Sequence, residues 1–426
     1  GVAGPVTNPV DFRAFYCGGQ TVARGRNPYR VEPLRTCERA SLASSGLRMD
    51  EKHLLPAPLP PYALIAFAPF SALPMRLASQ SWLALNIVAL AFAIVGVARL
   101  GNVRLPIAVL AMLGSLGFAS LIIGQLVPIV VAALIFAALC ARRGNGVGAA
   151  ICVAVASIEP HLALPAWCGL ALFVPRSRVP LAFAAASLGV LSLLAGPALN
   201  VEYISHVLPQ HARSEAYNFA AQYSLSSLLV AGGAPLDMAL RLGTLSYGCA
   251  LALGLWLGRL LQRRYDDSAF AITVPLAAIL LGGPFLHGHQ IAAALPFALM
   301  LLGRVSLRTP LFVAMVIAVC ALAIPWESIA EMPIVADSLP QVAPAIGVVH
   351  LPPAGPSDSA ELSYTAFVDA FAHRADSRTA LEQLLTKLPT WIGLIVLLST
   401  AAGLAFRRES KRACATKRTL RLGPAR

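Results

Sequence analysis

The sequence predicts an all-α polytopic membrane protein, and three observations support this fold class. Hydrophobic residues make up 57% of the 426 residues and charged residues only 12%, whereas soluble domains average about 25% charged residues. Mean hydropathy is +0.71. The apolar residues come in blocks of roughly 15 to 24, the length that crosses a bilayer core. These blocks do not alternate apolar and polar residues as barrel strands would, so we expect helices, which satisfy their own backbone groups.

The apolar blocks predict membrane spans at about 79–98, 105–121, 125–141, 179–196, 236–258, 268–284, 289–303, 309–325 and 388–406. Leu59–Pro74 is apolar but short and broken by proline, so we interpret it as a re-entrant or interfacial helix. Two half-length apolar stretches lie between 146 and 174 and are broken at Glu159-Pro160. They predict a hairpin that enters the membrane from the cytoplasmic side and returns to it.

Basic residues set the predicted orientation. Arginine pairs recur at alternate ends of the apolar blocks, as the positive-inside rule requires of cytoplasmic loops: Arg99 and Arg104, Arg142 and Arg143, Arg176 and Arg178, Arg263 and Arg264, Arg304 and Arg308. The pattern predicts a multi-pass protein of the plasma (inner) membrane, with one membrane domain at 1–406 and a basic cytoplasmic tail at 407–426. Segments 1–78, 197–235 and 326–387 are then extracytoplasmic, as is the turn at 284–290.

The outer position of residues 1–55 requires something to start their export. We therefore expect a first transmembrane helix or a signal sequence upstream of Gly1. Cys17 and Cys37 share this outer segment, where they could form a disulfide or remain two unpaired thiols.

Charge and motif content exclude several functions. The net charge of +13 is distributed as the positive-inside rule requires, so we expect membrane lipids and no nucleic acid as partners. No two cysteines have the spacing of a metal framework. The P-loop, G-x-S-x-G and H-E-x-x-H motifs are absent, which disfavours ATPases, serine hydrolases and zinc proteases. We expect no cofactor.

Two clusters near the N-terminus could carry chemistry. Asp11 stands in NPVDFRAFYCGGQ, where its carboxylate could act as a general base toward a hydroxyl or simply pair with Arg13. Tyr29 and Arg30 stand in GRNPYR, a tight turn whose ring and cation suit a sugar or a phosphate. A turn with a packed tyrosine is the alternative.

A third cluster is GPFLHGHQ, in which His287 and His289 stand at the outer mouth of two spans. Two imidazoles could contact a phosphate or sugar, ligate a metal with further ligands, or cap a helix. The further metal ligands would have to come from dispersed residues: Asp11, His161, His206 and His211.

Polar residues beside apolar stretches are further functional candidates, since membrane proteins place such groups reluctantly. These are Gln125, Glu159, His161, Gln222 and Ser224. Glu159 and His161 could also simply pair with each other at the hairpin tip.

The order of these fragments resembles glycosyltransferase family 87, the α-mannosyltransferase-like members of the GT-C membrane superfamily. The fragments are Asp-x₄-Tyr, G-x-NPY, PPYALIAFAPFSALP, GQ before a span, a Pro-broken hairpin, QYSL, and a His-containing turn after GP. In two places the chain departs from the family pattern. The hairpin has Glu159-Pro160 where the family usually has Lys-Pro, and the turn lacks the Trp often found before the His pair.

The resemblance implies a GT-C-like helix bundle that transfers a mannose-like hexose, or a pentose, from a polyprenyl-phosphate donor. Transfer would be inverting, extracytoplasmic and independent of nucleotide sugars, with a lipid or glycan hydroxyl as acceptor. Asp11 would be the catalytic base, and His287 and His289 would lie by the donor phosphate. Arg13, Tyr29, Arg30 and Gln125 would assist in binding the donor. Glu159, His161, Gln222 and Ser224 would line the cavity.

Two other function classes compete with this one. A transporter or flippase also has broken helices with polar residues, but it predicts a two-fold hydropathy symmetry that the dissimilar segments 1–78 and 326–387 lack. A non-catalytic scaffold would not need Asp and His to converge on one face.

Overall fold

A computed structural model describes residues 8–44, 54–219, 221–326 and 380–406. The basic tail predicted at 407–426 and nearly all of the outer segment predicted at 326–387 lie outside these residues. Within the described ranges the chain forms helices and turns and no strand, so the predicted all-α fold class is confirmed. The helices that follow are numbered in chain order.

The α-helices are α1 (Val10–Ala23), α2 (Val31–Ser44), α3 (Pro61–Ser71), α4 (Met75–Gly101), α5 (Leu105–Met112), α6 (Phe118–Ile123), α7 (Val127–Arg142), α8 (Gly146–Ala156), α9 (Pro160–Phe173), α10 (Arg178–Ala195), α11 (Pro197–Glu202), α12 (Leu208–Tyr217), α13 (Leu225–Ala231), α14 (Leu236–Tyr265), α15 (Phe270–Ile279), α16 (Leu295–Leu302), α17 (Pro310–Ala323) and α18 (Ala380–Phe406). Two π-helical turns, Leu113–Gly117 and Tyr203–Val207, and two 3₁₀ turns, Pro175–Ser177 and Gly288–Ala294, join some of them.

Four helices in the described part of the chain are long and apolar enough to cross a membrane, judged by length and composition. They are Met75–Gly101, Pro175–Ala195, Leu236–Tyr265 and Leu384–Phe406. They match the spans predicted at 79–98, 179–196, 236–258 and 388–406. Other apolar helices are shorter, among them α7 and α17 with 16 and 14 residues.

The spans predicted at 268–284 and 289–303 differ from the structure. Helix α15 has only 10 residues, which is about 15 Å of rise and half a hydrocarbon core. The chain then leaves helical conformation until the 3₁₀ turn Gly288–Ala294. The break falls at Gly282-Gly283-Pro284, where Gly283 has φ 132°, a backbone conformation that favours glycine. Two broken helices therefore meet at an irregular turn.

Helices α8 and α9 form the predicted hairpin, and its ends return to one place. A Cβ built on Gly146 would lie 2.3 Å from the carbonyl oxygen of Arg176, so the start and end of the hairpin are in contact. The tip is fixed from outside because the Tyr62 hydroxyl of α3 donates to the Ser157 carbonyl at 2.6 Å. Helix α3 has 11 residues, about 16 Å, in keeping with the short helix predicted at Leu59–Pro74.

Helix α1 packs closely on α3 and α4. A Cβ on Gly19 would lie 2.6 Å from the backbone of Phe67, so glycine permits this approach. The ring of Phe12 stacks on Trp82 at 5.4 Å between centroids. A disulfide joins Cys17 of α1 to Cys37 of α2, which is the bridged alternative of the two considered for this pair.

The opposite end of the bundle is held by a buried carboxylate. Asp267 accepts two hydrogen bonds from Arg142, at 3.0 and 2.9 Å, and one from Arg304 at 2.5 Å. The Arg304 guanidinium also lies 4.9 Å from the centre of the Phe270 ring. One carboxylate thus connects the end of α7, the start of α15 and the end of α16.

Candidate active site

A cavity of about 940 Å³ lies at the end of the bundle away from Asp267. This is within the range of about 300–1,000 Å³ that is usual for small-molecule sites. Its walls come from α1, the hairpin tip, α12, α14 and the irregular turn before Gly288. The polar side chains that line it are Asp11, Gln125, Glu159, His161, Tyr203, His211, Arg213, Glu215, Asp237, Arg241, Thr244, Tyr247, His287, His289 and Gln290.

Asp11 enters the cavity from the first turn of α1. Its Oδ2 accepts a hydrogen bond of 2.6 Å from Nε2 of Gln125. The two segments can approach because Gly124 has φ 78° and a Cβ there would lie 2.7 Å from Cβ of Phe12. Burial raises the pKa of the Asp11 carboxyl to about 6, although the charge of His287 and the Gln125 hydrogen bond act in the opposite direction. A carboxylate with such a pKa can accept a proton near neutral pH.

Glu215 of α12 is the most strongly hydrogen-bonded acid of the cavity. Its Oε2 lies 2.7 Å from Nε2 of Gln222, 2.9 Å from Nδ2 of Asn218 and 3.2 Å from Nε2 of His287. Burial alone would raise the pKa of Glu215, but the charge of His287 and these hydrogen bonds outweigh it and lower the pKa to about 2. Glu215 is therefore a permanent anion beneath the histidines.

Glu215 in turn sets the protonation of two histidines. Burial lowers the pKa of His287, but the charge and hydrogen bond of Glu215 more than reverse this, so its pKa lies above 6.5. His211, whose Nδ1 lies 3.8 Å from Glu215, behaves differently: burial and the charge of His287 lower its pKa to about 4. Of the two imidazoles beside Glu215, His287 is the one that carries charge.

His287 also caps the 3₁₀ turn Gly288–Ala294, since its side chain accepts from the backbone N–H of Gln290. An imidazolium cannot accept this bond. The same N–H lies 3.0 Å from the carbonyl oxygen of His287, so it keeps a partner when the ring is protonated. The helix-cap interpretation and a chemical role are thus compatible at this residue.

The irregular turn is held in place by the segment around Gln222. Gln222 and His287 form an antiparallel β-bridge, in which the N–H of Tyr223 donates to the Leu286 carbonyl at 2.7 Å. Oε1 of Gln222 accepts from the N–H of Leu286 at 2.6 Å, while its Nε2 holds Glu215. Buried backbone outside regular helices needs partners of this kind. Gln222 therefore connects the turn that carries His287 to the acid that charges it.

The hairpin tip closes the inner end of the cavity. Oε2 of Glu159 accepts a hydrogen bond of 2.9 Å from Nε2 of Gln290, and Oε1 of Gln290 accepts from the N–H of His287 at 3.0 Å. The Tyr247 hydroxyl of α14 donates to the carbonyl of His161 at 2.6 Å. The Glu159 carboxylate is thus paired with Gln290 and not with His161, whose ring packs edge-on against Phe285 at 5.0 Å between centroids.

Six of the residues selected from the sequence meet in the cavity lining: Asp11, Gln125, Glu159, His161, His287 and His289. Gln222 and Ser224, predicted to line the cavity, lie behind its wall and are not among the lining residues. The side-chain amide of Gln222 is engaged by Glu215 and by the N–H of Leu286. The Ser224 hydroxyl caps α13 by accepting from the N–H of Ser227 at 3.2 Å.

Three predicted donor-binding residues also point elsewhere. The buried Arg13 faces Glu38, with 3.8 Å between Nε and Oε2, and its Nη1 donates to Asn8 at 3.3 Å. The hydroxyl of the buried Tyr29 donates to the carbonyl of Leu59 at 2.7 Å. Arg30 pairs with Glu202 at 3.2 Å.

Glu215, Gln290, Arg213 and Arg241 line the cavity although no sequence pattern selects them, and His211 stands out in the sequence only as a dispersed metal ligand. The spacing of His211 and Glu215, one helical turn apart, was a weak signal that they share a face. Nothing in the sequence places them against His287, 72 positions away from Glu215 by residue number. In the described part of the chain, no group of three or more His, Cys, Asp or Glu side chains could hold a metal ion.

The arrangement offers a carboxylate able to take a proton and an imidazole able to carry charge, both in one cavity. These are the groups needed to activate a hydroxyl and to stabilise an anionic leaving group.

No curated protein and no solved structure matches this chain. The sequence model of glycosyltransferase family 87 matches residues 59–284, which is more than half of the 426 residues. The chain therefore belongs to glycosyltransferase family 87 and is a membrane glycosyltransferase.

Proposed function

We propose that this member of glycosyltransferase family 87 transfers a hexose or pentose from a polyprenyl-phosphate donor to a hydroxyl of a lipid or glycan. The observation that carries the proposal is the placement of Asp11 and His287 in one cavity, close enough for the charge of each to shift the pKa of the other. One cavity then holds a base for the acceptor hydroxyl and a cation for the leaving phosphate.

The chemistry balances without a further reactant. The acceptor oxygen attacks the anomeric carbon of the donor sugar while Asp11 takes the hydroxyl proton. The bond between that carbon and the phosphate oxygen breaks, and its electron pair leaves with polyprenyl phosphate. The His287 imidazolium, paired with Glu215 at 3.2 Å, stabilises the charge that develops on the leaving oxygen. Direct displacement of this kind inverts the anomeric centre.

A lipid donor is favoured by the mixed character of the cavity wall. Alongside its polar groups, the wall contains Leu164, Leu208 and Leu240. Leu164 and Leu208 are 43% and 36% exposed, so the cavity wall presents open apolar surface. A nucleotide donor would have no use for such a surface, whereas an isoprenoid chain would cover it.

The proposed sidedness follows from the charges. The end with Arg142 and Arg304 would face the cytoplasm under the positive-inside rule, and the cavity at the other end would be extracytoplasmic. For the sugar we propose a mannose-like hexose or a pentose, and for the acceptor a hydroxyl of a lipid or glycan.

A donor panel tests the proposal. Purified protein would be incubated with polyprenyl-phosphate-linked mannose, glucose and a pentose, and in parallel with the matching nucleotide sugars, each with a crude lipid and glycan acceptor mixture. We expect release of polyprenyl phosphate with at least one lipid-linked sugar and no turnover of nucleotide sugars. Turnover of nucleotide sugars alone would contradict the proposal.

A further inference from the structure

The acids and bases of the cavity are unevenly distributed. Its inner end is lined by three carboxyl groups, those of Asp11, Glu159 and Glu215, and the one imidazole there with a raised pKa, His287, is already paired with Glu215. This end suits an uncharged, hydroxyl-rich sugar. Apart from the leaving oxygen, which His287 stabilises in the proposed transfer, it offers the other phosphate oxygens little net positive charge, particularly after transfer, when polyprenyl phosphate gains negative charge.

The remaining cations of the lining are the guanidinium groups of Arg213 and Arg241. Arg213 of α12 donates to Asp237 of α14 at 2.6 Å, so its charge is matched. Arg241 of α14 is exposed to the cavity, and within the described ranges no hydrogen bond, ion pair or ring contact engages its guanidinium. An arginine on a candidate span that faces a cavity marks a binding function more often than a structural one.

Arg241 belongs to one continuous face of α14. Asp237, Leu240, Arg241, Thr244 and Tyr247 all line the cavity and follow the three- and four-residue spacing of one helix face. Tyr247 contacts the hairpin tip at the inner end, and Arg241 lies about 9 Å farther along the helix axis toward its N-terminus. A phosphate at Arg241 would therefore lie nearer the rim than a sugar at the hairpin tip.

The apolar part of the wall lies beside this same face. Leu240 precedes Arg241, and Leu164 of α9 and Leu208 of α12 line the cavity with 43% and 36% of their surface exposed. A guanidinium beside apolar surface matches the phosphate group and the hydrocarbon chain of a lipid phosphate.

We infer that Arg241 binds the phosphate of the polyprenyl donor, and that the isoprenoid chain leaves the cavity past Leu164, Leu208 and Leu240. The inference rests on the proposed function and adds the position and orientation of the donor. The guanidinium presents several N–H groups to phosphate oxygens, which a single ammonium group cannot match in geometry. Arg213, tied to Asp237, holds α12 against α14 at the rim.

The test measures binding without turnover. Affinity of the purified full chain for a short-chain polyprenyl phosphate would be measured by native mass spectrometry, with the matching polyprenol as the probe that lacks phosphate. Arg241→Gln should weaken binding of the phosphate roughly tenfold or more and leave polyprenol binding unchanged. Arg241→Lys should recover part of the affinity. Arg263→Gln, in the same helix at the basic end, is the matched control and should bind as wild type.

The inference is overturned if Arg241→Gln binds polyprenyl phosphate as tightly as wild type does. It is also overturned if Arg241→Gln weakens the binding of polyprenol as much as that of polyprenyl phosphate. A third contrary outcome is displacement of polyprenyl phosphate by an equal concentration of phosphatidylglycerol. The last would identify a general site for lipid headgroups. Wild-type protein that binds no polyprenyl phosphate would instead count against the proposed function itself. Failure of the two proposals is therefore distinguishable.

Discussion

At the residue scale, the central relation is between Glu215 and the two groups that react. Glu215 makes no contact with a substrate in the proposed chemistry. It keeps His287 charged, and His287 in turn holds down the pKa of Asp11. A positioning acid of this kind should be visible in the dependence of the rate on pH.

We predict a bell-shaped pH profile for kcat/KM. Asp11 must be deprotonated, and because its pKa is about 6, activity should rise as the pH increases through that value. His287 must be protonated, and because its pKa lies above 6.5, activity should fall only at higher pH. Glu215→Gln removes the negative charge that raises the pKa of His287, so the alkaline limb should move to lower pH.

The control for this profile is Glu202→Gln. Glu202 pairs with Arg30 outside the cavity lining, so its variant should keep the wild-type limbs. An alkaline limb that stays in place in Glu215→Gln would show that His287 does not govern it.

Some residues of the site could be predicted from the sequence and others could not. Asp11, Gln125 and His287 were found because polar groups next to apolar blocks are rare. Arg13 follows Asp11 by two positions, and residues so spaced on a helix face different directions; it turns to Glu38 instead of the cavity. Glu215 was missed because its role depends on the β-bridge between Gln222 and His287, which sequence alone does not specify.

At the scale of elements, the site depends on helices that stop short. The tip of the hairpin α8–α9 and the turn between α15 and α16 both line the cavity. Hydropathy predicted the hairpin because proline divides it into two visible halves. It gave a full span at 268–284 because Leu280 and Leu281, which follow the end of α15 at Ile279, are also apolar.

Close contact between α9 and α15 holds the hairpin tip in place. A Cβ on Gly169 would lie 1.7 Å from the carbonyl oxygen of Ala271, so Gly169→Ala must separate the two helices. We predict a loss of about 1–3 kcal/mol of stability, measured by thermal unfolding in detergent, together with reduced transfer because Glu159 and His161 move with α9.

Gly189→Ala is the matched control. Gly189 lies within α10, where nothing is within 4 Å of an added Cβ, and alanine is favoured over glycine in helices by about 1 kcal/mol. This variant should be at least as stable as wild type. Equal stability of the two variants would show that the α9–α15 contact can relax without cost.

At the scale of the whole molecule, the two ends of the bundle have opposite character. One end is fastened by Asp267 between two arginines, and the other is opened by the cavity. Composition and hydropathy were sufficient to predict the helical membrane fold. The cavity itself could not be predicted, since its walls come from segments as far apart as Asp11 and Gln290.

The sidedness can be tested with single cysteines. In a chain that keeps the Cys17–Cys37 disulfide but has its other cysteines replaced by serine, Arg26→Cys and Arg143→Cys would be introduced separately at exposed positions. A membrane-impermeant maleimide should label Arg26→Cys in right-side-out vesicles and Arg143→Cys only in inverted ones. The reverse pattern would place the cavity on the cytoplasmic side.

The most direct test of the account is the transfer rate of Asp11→Asn. Asparagine preserves the size of the side chain and cannot accept the hydroxyl proton, so we predict that kcat falls about 10²- to 10⁴-fold while donor binding is unchanged. Asp266→Asn, at the basic end where asparagine also tolerates the left-handed backbone of φ 50°, should retain full activity. Undiminished transfer by Asp11→Asn, in protein that folds and binds donor as wild type does, would contradict the account.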